Sequence, residues 1–191
     1  MPGPQSRDAL TLRALTHPLR WKLLDLIGSE LSATATRCAE VLGESVASCS
    51  YHLGILAKYG YIELVPDRAG REKPWQLASR EQNLSPDGLD ELGALAAQDA
   101  TEIFLDHELD RIKDRLRRRD QEPADWRKAS HLLGTTRWMT AAELQEIKEQ
   151  QLEIASRYAD RDEEPDRRPP GAREARIFVA TSVAPRPVKP R

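Results

Sequence analysis

The chain has 191 residues, 31% of them Asp, Glu, Lys or Arg, and a formal net charge of −2. That length fits one domain with an extension or two small domains, and no apolar run is long enough to span a bilayer. The two cysteines, Cys38 and Cys49, exclude a disulfide scaffold and point to a reducing compartment. With no signal-peptide pattern at the start, a cytoplasmic location is expected and no membrane partner.

Charge is unevenly spread. Up to Arg80 there are ten Lys and Arg against eight Asp and Glu; beyond it there are 19 against 23. A mildly basic first part joined to an acidic remainder is compatible with a local nucleic-acid patch, because a patch matters more than the total.

Residues 1–7, rich in Pro, Gly and Ser, read as a flexible arm. A helix is expected from 8 to about 16, offering Leu10, Leu12 and Leu15 to the core. A second, over 19–28, uses Trp21, Leu23, Leu24 and Ile27, more apolar positions than one stripe needs. Residues 32–36 (SATAT) offer a short edge strand. Two short helical patterns then meet at Gly43. The second, over 45–59, takes Ser45 as its N-cap. At helical spacing Cys49, Leu53 and Leu56 share its core face with Val46 at the edge. Ala47, Ser48, Tyr51 and Lys58 point the other way, Ser50 lies at the edge of that face, and His52 lies on its flank. A small, polar, uncluttered face suits base edges and phosphates; an ordinary amphipathic surface helix would carry the same pattern.

A strand is expected over 61–65 and another ending at Leu77, with the basic turn 66–74 between them carrying Arg68, Arg71 and Lys73. Phosphate contact is the economical use of such a turn. Helix, turn, helix and a two-stranded wing is how a small domain offers one helix to the major groove and a basic hairpin to the flanking backbone. Binding of double-stranded DNA is therefore the leading reading.

The run ALTHPLRWKLLDLI (14–27), followed by CAEVLGESVASCSYHLGILAKYGYIELV (38–65), resembles the winged helix-turn-helix of the ArsR family of bacterial repressors. The pieces that carry the resemblance are His17-Pro18-x-Arg20, with Pro in a first helical turn, and Ser-x-His-Leu-x-x-Leu over 50–56. It covers about residues 8–80. It implies a homodimeric, DNA-binding transcription regulator acting as a repressor, with Ser48, Ser50 and Tyr51 on the DNA-facing part of the recognition helix and Arg71 on the wing. Metal-sensing members carry two cysteines just ahead of the preceding helix, where this chain has Thr34 and Thr36. Hydroxyls do not replace thiolates at a soft-metal site, and His107, with Glu102, Asp106 and Asp110 near it in sequence, reads as part of a solvated helix. No metal and no cofactor are expected.

Beyond the turn at 85–88 a long helical pattern runs to about 119. Leu105, Leu109, Ile112 and Leu116 draw a coiled-coil-like seam, so this helix is expected to dimerise two copies. After Pro123, residues 130–139 (SHLLGTTRWM) read as a strand. Thr140 and Glu143 form a capping-box pattern opening a helix from 141 to about 159, with Leu144, Ile147, Ile154 and Tyr158 at heptad spacing, and 175–183 read as a second strand. The layout resembles the C-terminal extensions of some ArsR-like regulators. This appendage either cements the dimer or binds a small-molecule effector among Trp126, Trp138, Phe104 and Tyr158.

The expected fold is thus mainly α with a small β wing. Its order is arm (1–7), winged helix-turn-helix domain (8–80), dimerisation helix (86–120), small α/β appendage (125–184) and disordered tail (185–191). There is no Gly-rich phosphate loop, paired-Cys motif or Gly-x-Ser-x-Gly, and the four histidines are scattered, so no enzyme activity is expected. The rival reading is a winged-helix scaffold serving as a protein-interaction module.

Overall fold

The computed structural model describes residues 9–66, 73–80, 84, 86 and 88–185. The arm, the wing residues Arg68 and Arg71, and 186–191 of the tail lie outside them. The chain divides into two units, Met1–Gln121 and Glu122–Arg191.

The first unit opens with α1 (Ala9–Arg13), shorter than the sequence pattern promised. The Thr16 hydroxyl donates to the Arg13 carbonyl at 2.9 Å and the chain turns there. Leu12 and Leu15 are buried, whereas Leu10, expected in the core, is exposed. α2 (Pro18–Glu30) starts on Pro18 with His17 as N-cap, whose Nδ1 accepts the Leu19 N–H. Seven of its residues are buried, which is why its apolar positions exceed one stripe. One of them, Gly28, lies against the sheet: a Cβ there would stand 3.1 Å from Leu77 Cδ1. α2 ends on Leu31, which takes φ 66°.

Thr34 N-caps α3 (Ala35–Leu42), and Gly43, at φ 69°, lets the chain reverse. The N–H groups of Gly43 and Glu44 both donate to the Ala39 carbonyl. α4 (Val46–Lys58) begins three residues later. β1 (Ile62–Leu64) and β2 (Trp75–Leu77) pair antiparallel, Ile62 opposite Leu77 and Leu64 opposite Trp75. The edge strand expected over 32–36 is reduced to one bridge, in which Ala33 and Trp75 exchange backbone hydrogen bonds at 3.0 and 2.8 Å. The first unit is thus mainly helical with a two-stranded antiparallel sheet.

Asp90 caps α5 (Glu91–Arg117), its carboxylate accepting the Gly93 N–H at 2.7 Å. Ala96 and Ala97 let the start of α5 approach Leu12 of α1 closely. Farther along, Phe104 packs on Trp21 with ring centroids 4.8 Å apart. One carboxylate oxygen of Asp25 receives both His107 Nε2, at 2.6 Å, and Arg111 Nη1, at 2.5 Å. α5 is therefore fastened to α2 by an apolar patch and a shared anion, the latter spanning 82 positions of sequence.

In the second unit are α6 (Ala124–Ala129), α7 (Ala141–Ser156), α8 (Asp160–Glu163) and a 3-10 turn at Pro165–Arg167. The capping box of α7 forms as expected, Thr140 and Glu143 satisfying each other's backbone N–H groups. Arg173 forks onto Glu122 and lies over the Trp126 ring.

The expected α/β character of this unit is not realised, since 130–139 and 175–183 form no strand. A strand is completed by another chain segment's N–H and C=O groups, and among the described residues the only strand ladder is that of β1 with β2. Leu132, Leu133, Trp138, Ile177, Val179 and Val183 stand exposed. No helix among the described residues is long and apolar enough to cross a membrane.

Candidate nucleic-acid interface

α4 separates its side chains as the spacing requires. Cys49, Leu53 and Leu56 are wholly buried, packed with Leu23, Leu24, Ile27 and Ile62 in the main core. Burying each leucine contributes about 1.5–3 kcal/mol, enough to hold the helix against α2 and α3. Val46, placed by its spacing at the edge of the core, is exposed.

On the outer side Ser45 caps the helix, its hydroxyl accepting the Ser48 N–H at 3.1 Å. Ala47, Ser50 and Lys58 are exposed, Ser48 is half-buried, and Tyr51 projects with 65% of its surface open. α4 contains no Asp or Glu, so nothing on the helix itself repels phosphate, and its helix dipole directs positive potential toward its N-terminus, where Glu44 precedes the Ser45 cap. Tyr51 offers a flat ring and a hydroxyl, Ser48 and Ser50 short donors and acceptors, and Lys58 a mobile cation. This set can hydrogen-bond base edges and phosphates without steric obstruction.

The helix stops in a defined way. Gly60, at φ 74°, donates its N–H to the Ala57 carbonyl, and Tyr61 donates to Leu56 at 2.9 Å, the paired bonds of a Schellman motif. The Tyr61 hydroxyl then donates to the Thr11 carbonyl. This reversal sends the chain directly into β1. Lys73 is exposed just before β2, where a basic hairpin would present it.

His52 is placed differently from its sequence assignment. Grouped there with the DNA-facing residues, it is only 8% exposed and sits behind that face. Arg20 Nε donates to its Nδ1 at 3.2 Å. Arg20 was visible as part of a motif, but its engagement with α4 was not, because the two residues lie 32 positions apart.

Of the residues expected from spacing to form a dimer seam, Leu105, Leu109 and Leu116 are exposed along α5 and Ile112 is half-buried. The four aromatics suggested for an effector make separate contacts. Phe104 packs on Trp21, Trp126 lies beneath Arg173, Tyr158 lies beneath Arg161, and Trp138 is fully exposed. Both cysteines are buried. Burial first, then Cys49 and Glu30, pushes the Cys38 thiol up to about 11; burial and Glu44 raise Cys49. Neither thiol is a ready nucleophile at neutral pH.

No protein-family model matches the chain, and no curated protein matches it significantly. Among solved structures it is similar to M. tuberculosis Rv0081, at 22% identity and a TM-score of 0.33, over 53% of this chain and 89% of that one. A superposition that loose says nothing of fold or function.

Proposed function

We propose that this protein is a homodimeric winged helix-turn-helix transcription regulator of ArsR-like type. α4 enters the major groove, and the hairpin between β1 and β2 contacts the flanking backbone with Arg68, Arg71 and Lys73. The observation that carries this reading is the two-sidedness of α4. Its inner face is sealed in the core, while its outer face is open, free of acids and led by Tyr51. A helix serving only as a core element has no use for an exposed tyrosine above small polar side chains.

Two copies are needed to read a two-fold symmetric site, and α5 supplies a surface for pairing. Leu105, Leu109 and Leu116 stand exposed on one helix and would be covered by their counterparts in a second copy. Repression follows from the resemblance of the motifs to the ArsR family, and an effector would act by favouring one spacing of the two recognition helices.

The reading is tested by selecting duplexes from a random pool with the purified full-length protein, then footprinting the enriched sequence. The expected product is a pseudo-palindrome whose half-sites lie one helical turn apart or a multiple of it. A pool that stays random through repeated selection contradicts the proposal.

A further inference from the structure

Behind the outer face of α4 lies a cluster of three nitrogen-bearing side chains. His17 and Arg20 come from the start of α2 and His52 from the middle of α4. The two imidazole rings stand 4.2 Å apart, centroid to centroid, at 36°. Both use Nδ1 as an acceptor: that of His17 takes the Leu19 N–H, and that of His52 takes Arg20 Nε, each at 3.2 Å.

A guanidinium can only donate, so the bond to His52 requires a neutral ring with its proton on Nε2. The helix cap makes the same demand on His17. The other arm of Arg20 donates to the carbonyl of Ala14 at 2.7 Å and to that of Arg13 at 3.3 Å. One cation thus ties the end of α1 and the start of α2 to the middle of α4. The next residue along α4 toward its N-terminus is Tyr51, whose ring meets that of His52 edge-on at 5.2 Å.

We infer that Arg20 and His52 are positioning residues for the DNA-reading face, and that α4 is correctly seated only while His52 is neutral. The inference rests on the DNA-binding reading above. Protonating His52 turns its Nδ1 from acceptor to donor, facing another donor, and sets an imidazolium beside a guanidinium in a buried place. From α2 the ring faces Arg20 and His17; from the α3–α4 turn it faces Glu44; on α4 its neighbour is Tyr51, and Tyr59 acts on Arg20.

Burial, then His17 and Arg20, holds His52 below the usual imidazole range, with Glu44 opposing them; burial and Arg20 do the same to His17. The seated state therefore binds fewer protons than the unseated one. The sign follows: stability of the seated state is full above the ordinary imidazole pKa, falls as pH drops through it, and levels off below the depressed value. Acid has the opposite effect on an exposed histidine near DNA, whose new charge strengthens phosphate contact.

The experiment uses the full-length protein and compares wild type with His52→Asn. The asparagine Oδ1 takes the place of Nδ1 and accepts from Arg20, but cannot titrate. Binding to the selected duplex and to a scrambled one is measured from pH 7.5 to 5.5, alongside thermal unfolding and imidazole NMR titration. Wild type is expected to lose preference for the selected duplex by up to about tenfold per pH unit once below the ordinary imidazole pKa. His52→Asn is expected to keep the pH 7.5 preference and to lose most of the acid sensitivity, the remainder being that of the His17 cap, and His52 should titrate below the ordinary imidazole range.

Arg20→Gln, which removes the neighbouring cation, should move the His52 titration upward. The inference is overturned if His52→Asn remains as acid-sensitive as wild type, or if His52 titrates at or above the ordinary imidazole value. Should wild type show no DNA preference at any pH, the functional reading fails. The NMR titration and the pH dependence of unfolding would still decide whether the cluster seats α4.

Discussion

Tyr51 and Leu31 show how single side chains carry opposite kinds of information. Tyr51 is 65% exposed and touches the core only through the edge of its ring on His52, so its removal should leave the fold intact. Tyr51→Ala is expected to cost about 1–3 kcal/mol of discrimination between the selected site and random DNA, with Ser48→Ala acting in the same direction. Equal losses on both DNAs would remove these side chains from base readout. Leu31 is a matter of backbone strain. It holds φ 66° at the end of α2 with its side chain 43% exposed. A non-Gly residue in that region is strained on the order of 1 kcal/mol, and glycine relieves it. Leu31→Gly should raise the urea midpoint by the equivalent of about 0.5–1 kcal/mol; a lowered midpoint would mean that the leucine side chain contributes more than its conformation costs.

The elements differ in how far their sequences announce them. α4 is written locally: a Ser cap, a 3.6-residue apolar stripe and a glycine to end it, all between Ser45 and Gly60. Its bounds, Val46–Lys58, fall inside the range expected from spacing alone. The α7 capping box is legible for the same reason. The left-handed Gly60 closes the α4 cap, so Gly60→Ala should destabilise the fold by about 1 kcal/mol, read as a lower thermal midpoint; no change would show that the cap bonds are dispensable. What sequence could not supply is pairing across distance. The apolar runs in 130–139 and 175–183 mark chain that could enter a sheet, yet neither forms a strand, and among the described residues only β1 and β2 do. The bonds of Asp25 to His107 and of Arg20 to His52 were hidden because helix spacing says nothing about contacts 82 and 32 positions apart. The spacing of Leu105, Leu109 and Leu116 on α5 was legible, and all three leucines are exposed. Leu109→Lys should convert a dimer to a monomer by light scattering and lower DNA affinity with it; an unaltered dimer would place the interface elsewhere.

Taken together, the buried residues Leu12 through Glu108 all belong to the first unit, and so do all the residues assigned to DNA contact. On the proposed reading, the first unit supplies the reading head with a sealed core and a helix with one open face. On that reading the acidic balance beyond Arg80 disfavours indiscriminate binding to phosphate, and affinity for a particular sequence would come from the contacts proposed for Tyr51 and Ser48. The most direct measurement is a fluorescence-anisotropy titration of the full-length protein with its selected duplex and with a scrambled duplex, repeated at several salt concentrations. A preference of about a thousandfold or more at physiological salt is the predicted result. Equal, weak and steeply salt-dependent binding to both duplexes would contradict it, leaving a merely basic surface and α4 as a scaffold for protein contact.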